Sequence, residues 1–105
     1  MNTETFCTEI IGFAGEAKNC FLEAIQILLD EKDLEKAKEK QNEGFEFYKK
    51  AHAAHSQILT AFANNEPINI DILLVHSECH MTAAETVYSL CNLLISHYEL
   101  EKEEI

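Results

Sequence analysis

Positive charge is scarce in this chain. Eight Lys and Arg side chains face 19 Asp and Glu, for a net charge of -11 over 105 residues. A surface so short of cations has no means of replacing the counterions of nucleic acid or of adhering to an anionic membrane, so neither partner is expected. No apolar run approaches the roughly 20 residues of a membrane span, and no direct membrane insertion is expected. The four cysteines, Cys7, Cys20, Cys79 and Cys91, lie far apart without a C-x-x-C pair. That spacing argues against a disulfide framework and for reduced thiols, with Cys7, Cys20 and Cys91 read as small buried hydrophobes. Met1 leads straight into Asn-Thr-Glu-Thr, with neither the basic segment nor the apolar core of a targeting sequence, and a cytoplasmic protein is expected. Nucleophile elbows, phosphate-cradling glycine loops and zinc-ribbon spacings are likewise missing.

Helical periodicity is what remains. The length fits one domain, residues 1–105. The only proline, Pro67, lies in the stretch Asn64-Asn65-Glu66-Pro67-Ile68-Asn69, and a second break falls at Asp30-Glu31-Lys32-Asp33, where Asp33 is placed to cap the next helix. Three segments result. In the first, Phe6, Ile10, Phe13, Ala17, Cys20, Ala24 and Ile27 follow steps of three and four. The second carries Leu34, Ala37, Gln41, Gly44, Tyr48, Ala51, His55, Ile58 and Phe62 in the same steps, and the third Leu73, His76, His80, Ala83, Val87, Leu90, Leu94 and His97. Such spacing predicts an all-α protein, an antiparallel three-helix bundle of up-down-up order. Gly12, Gly15 and Gly44 fall inside helices, and close helix approach is the expected compensation.

The third segment is apolar on more than one face. One further line holds Leu74, Met81, Ala84, Tyr88, Cys91 and Ile95; another holds Ile72, Val75, Cys79, Thr82, Thr86 and Leu93. Two neighbours cannot cover a helix apolar all round, so another copy of the chain is expected to, in a cyclic homo-oligomer with this helix near its axis. By contrast, Glu31 to Lys50 reads as a solvated face of mixed charge, and Glu99 to Glu104 as a solvated helix end.

The chemistry available is that of histidine. His52 and His55 fall on the second helix, His97 near the end of the third, and His76 and His80 one turn apart on its apolar stripe. From Ile72 to Tyr98 the only formally charged side chains are Glu78 and Glu85. An imidazole pair in that setting needs a polar partner or a task, because removing it from water costs free energy. Two tasks suit it. One is metal binding in the bundle, with His76, Cys79 and His80 as donors and His55 as a further candidate. The other is phosphoryl transfer through a neutral ring nitrogen of one histidine, with the second holding the phosphate or fixing the tautomer. On these residues alone both stay open.

The string Leu73-Leu74-Val75-His76-Ser77-Glu78-Cys79-His80 resembles the signature of the lactose/cellobiose-class enzyme IIA of the bacterial sugar phosphotransferase system, where the pattern is Leu-Val-His-Ala-Gln-Asp-His-Leu-Met-Thr. Ala14-Gly15-Glu16-Ala17 resembles the Ala-Gly-Asp-Ala of that family, Glu43-Gly44 stands where Glu-Ala is usual, and Ala51-His52-x-x-His55-Ser56 stands where Ala-His-x-x-Gln-Thr is usual. The resemblance implies a three-helix bundle assembling as a homotrimer. It also implies a phosphocarrier that takes phosphate from phospho-HPr and gives it to a cysteine of enzyme IIB during uptake of β-glycosides. His76 matches the phosphorylated position, His80 a second histidine beside it, and His55 a supporting Gln. Three departures stand out. The Asp that holds a metal ion on the trimer axis is Cys79 here, which suits Mg²⁺ poorly and leaves either a metal-free axis or a soft ion such as Zn²⁺. Glu78 replaces Gln, which brings the expectation of a negative charge near an incoming phosphate and slower transfer. Met81-Thr82-Ala83 replaces Leu-Met-Thr. A phosphorylation-silent regulatory relative is therefore a further alternative.

Overall fold

Each helix begins on a side chain that satisfies a backbone N–H left orphaned in its first turn. A computed structural model describes residues 2–103. Asn2 accepts from the Thr5 N–H at 3.2 Å and opens α1, Thr3–Glu31. Lys32 closes it in the left-handed region at φ 54°, its N–H donating to the Ile27 and Leu28 carbonyls. Asp33 then caps α2, Leu34–Ala63, as its spacing predicts, accepting from the Lys36 N–H at 3.1 Å. α3, Ile72–Glu103, opens on Asp71, whose carboxylate accepts from the Leu74 N–H at 3.0 Å. Glu104, the last acid of the charged tail, lies outside the described residues, with Met1 and Ile105. The helices form a rod of 57 × 20 × 18 Å. Among the described residues there is no strand, and no helix is long and apolar enough to cross a membrane.

α1 is the shared wall of the bundle, packing along both other helices, while α2 and α3 meet much less closely. Its buried line is Cys7, Ile10, Ala14, Ala17, Phe21, Ala24 and Leu28. Phe6, Phe13 and Ile27, expected in that line, flank it half-buried, because small side chains take the positions of closest approach. On α2 the buried residues Ala37, Gly44, Ala51 and Ile58 are likewise seven apart. Gly44 is held to glycine by contact: a Cβ there would stand 2.8 Å from both Cys20 Cβ and Phe21 Cε1. Gly12 and Gly15 correct the expectation of close approach, since a Cβ at either would meet nothing within 4 Å. Phe62, also expected in the core, is 61% exposed.

The α2–α3 seam is built differently. Gln41 donates to Asn92, the Tyr48 hydroxyl donates to Glu85 at 3.2 Å, and His55 Nε2 lies 2.8 Å from Glu78 Oε1. Each of these three rungs is seven residues from the next on both helices, and a Lys38–Glu99 ion pair at 3.1 Å, seven residues on along α3 but three along α2, extends the seam. Burial, followed by the Glu85 carboxylate, pushes the Tyr48 phenol up, so it remains a proton donor in this seam.

Candidate functional site

His76 and His80 belong to the first turns of α3, downstream of the Asp71 cap. One turn separates them, so the helix stacks their side chains on one edge. The rings meet nearly edge to face, with centroids 4.5 Å apart and planes at 83°, and their Nε2 atoms lie 3.0 Å apart. A hydrogen bond between those atoms requires one ring to carry its proton on Nε2 and the other to offer the Nε2 lone pair. Burial holds His80 below its ordinary value of 6.5, and the His76 ring and the Lys18 ammonium push it the same way. His80 therefore favours its neutral form at pH 7. His76 is exposed and His80 half-buried. The pair thus offers an accessible ring backed by a sheltered one.

The other candidates sit elsewhere. His55 reaches Glu78 and not the pair; its side chain is 15% exposed. That bond turns Glu78 toward α2 and corrects the expectation of a negative charge beside an incoming phosphate, because two positions after His76 lies on nearly the opposite side of the helix. Cys79 is exposed on the outer face of α3 with Ile72, Val75, Thr82, Thr86 and Leu93. Among the described residues no three His, Cys, Asp or Glu side chains gather where they could hold one metal ion. The trio His76, Cys79 and His80 therefore does not form a metal cluster within one chain. Exposed His52 lies against Tyr48, and His97 pairs with Glu101 at 3.3 Å near the far end of α3.

The remaining thiols are structural. Cys7, Cys20 and Cys91 are buried, and burial alone pushes Cys91 to about 11. Beside the pair, buried Ser77 donates to the Leu74 carbonyl at 2.7 Å and lies 3.6 Å from Cys7 Sγ. The residue not singled out from the sequence is Lys18, whose signal was the lack of any acid three or four positions away on α1.

A family model described as the lactose/cellobiose-specific IIA subunit of the PTS system matches residues 5–99. The chain belongs to that family. It is 30% identical over 91 residues to the lactose-specific EIIA component of the PTS system from Staphylococcus epidermidis, covering 87% of this chain and 86% of the relative. The lactose-specific component of Staphylococcus aureus (strain N315) is 29% identical over 91 residues, covering 87% of each chain. The lichenan-specific phosphotransferase enzyme IIA component of Bacillus subtilis (strain 168) is 28% identical over 101 residues, 96% of this chain and 91% of that one. No solved structure matches the chain. As a IIA component it has a phosphocarrier role in a sugar phosphotransferase system. The donor set of Cys79 does not fit the hard cation implied at that position, because a thiol is a soft ligand.

Proposed function

We propose that His76 Nε2 is the phosphoryl acceptor. It takes the group from phospho-HPr and delivers it to a cysteine of enzyme IIB during uptake of lactose- or cellobiose-type β-glycosides. The observation that carries this reading is the 3.0 Å approach of the two Nε2 atoms on an accessible edge of α3. In the acceptor tautomer His76 keeps its proton on Nδ1 and presents the Nε2 lone pair. That pair forms the new N–P bond as the donor's bond to phosphorus breaks and its electrons leave with the donor atom. His80 Nε2–H, freed from the lone pair it had bonded, donates to a phosphoryl oxygen. No proton needs to leave His76 for the group to transfer onward. His55 takes part only by holding Glu78 toward α2, which keeps that carboxylate's charge off the phosphoryl oxygens.

The working unit in this reading is a cytoplasmic homotrimer. Ile72, Cys79, Thr86, Leu93 and Leu100 recur every seven residues along α3 and are all exposed. That is the spacing of a seam between parallel helices. Cys79 in place of the axial acid removes the repulsion that three carboxylates would create, so the assembly needs no cation there.

The test is intact mass and phosphopeptide mapping at neutral pH after incubation with phosphoenolpyruvate, enzyme I and HPr. One acid-labile phosphate on His76, lost in His76→Ala, is expected. A folded chain that gains none contradicts the reading.

A further inference from the structure

Three lysines are half-buried: Lys18, Lys38 and Lys40. Lys38 is held by Glu99 at 3.1 Å, and Lys40 by Glu23 at 3.0 Å and Glu43 at 3.1 Å. Lys18 has no carboxylate within ion-pair distance among the described residues. In a chain of 19 acids that is a local exclusion: its helix neighbours three and four positions away are Ala14, Gly15, Phe21 and Leu22. The acid nearest its level on α3, Glu85, is turned to the other seam, where it accepts from the Tyr48 hydroxyl at 3.2 Å. A partly desolvated ammonium without a counter-charge is disfavoured unless an anion arrives.

The register of the bundle brings that cation toward the histidine pair. α1 and α3 run parallel, and two contacts fix their alignment: Ser77 with Cys7 at 3.6 Å, and the Phe21–Tyr88 ring stack at 4.9 Å. Lys18 and His80 both fall between those contacts, Lys18 nearer the second. A helical side chain leans toward its own N-terminus, which directs the lysine stem from its own level toward that of His80. The ammonium is near enough to His80 to disfavour a second positive charge there.

We propose that Lys18 is a phosphate-holding residue of this site, its ammonium pairing with the phosphoryl oxygens on His76. This rests on the phosphocarrier reading above. Charge-assisted pairing with a transferring phosphoryl group stabilises both the transition state and the phosphorylated protein.

The full-length chain and its K18M, K18Q and K18R variants are phosphorylated with phosphoenolpyruvate, enzyme I and HPr, and the initial rate of phosphate gain is read by intact mass. K18M and K18Q are expected to be slower by roughly tenfold to a hundredfold, with helicity unchanged by circular dichroism. K18R is expected to stay within about threefold of the parent, because a second cation restores the pairing. A merely structural lysine would not give that split. Neutral variants that match the parent rate within about twofold overturn the proposal while leaving the phosphocarrier reading intact. A parent chain that takes no phosphate overturns that reading, and Lys18's role with it.

Discussion

Met81 and Cys91 on one side of α3 are sealed from water, whereas Ile72 and Leu93 on the other are 88% and 68% exposed. Both sides carry apolar residues at helical spacing. What differs is the cover: α1 lies over the inner line, and nothing in the single chain lies over the outer one. Periodicity therefore reports that a face is to be buried, and says nothing of which chain buries it. The histidine pair stands on the margin between the two faces, where one ring is sheltered by the fold and the other is open to a partner protein.

The largest effect is expected on the inner face. Met81→Ala removes a side chain that is 2% exposed and leaves a cavity, costing about 2–5 kcal/mol of unfolding free energy in a urea titration. A loss below about 1 kcal/mol would mean that the face closes without it. On the outer face Leu93→Glu is expected to change the stability of the single chain by no more than about 0.5 kcal/mol. In the trimer proposed above it should instead break the assembly, taking the sedimenting mass from three chains to one. An unchanged mass would place the seam elsewhere.

The polar α2–α3 seam sharpens the contrast. Its rungs are half in water, so His55→Gln is expected to cost at most about 1 kcal/mol, and a double-mutant cycle with Glu78→Gln should return a coupling of the same small size. A coupling of several kcal/mol would make this rung a buried ion pair. Acid gives the smallest effect. Because His80 titrates below 6.5 in the fold, the unfolded chain binds more protons between that lowered value and 6.5. The stability it contributes is full above 6.5 and is lost as pH falls through the folded value. Imidazole resonances followed by NMR check the direction; a His80 midpoint above 6.5 would contradict the sheltered, neutral ring.

Three helices, both breaks and the Asp33 cap were legible in the sequence, because sparse proline and steps of three and four leave few alternatives. The exact buried line of α1 was not. Phe6 and Phe13 outrank Cys7 and Ala14 in hydrophobicity, yet closest approach selects small side chains, as Gly44 does against Phe21. At the site, the His76–His80 pair followed from a one-turn spacing. The orientation of Glu78 did not: its charge was expected beside the phosphate, yet two residues along a helix is nearly the opposite side. Its bond to His55 was not legible either, because it joins residues 23 positions apart on different helices. Lys18 escaped because a cation is noticed by its partners, and this one is marked by having none among the described residues.

The central claim is that the accessible ring of the pair carries phosphate. Phosphopeptide mapping of the parent chain and of His76→Ala, after incubation with phosphoenolpyruvate, enzyme I and HPr, tests it most directly. The account predicts one acid-labile phosphate on His76 in the parent and none in the variant. Phosphate on another residue, or none on a folded parent chain, would contradict it.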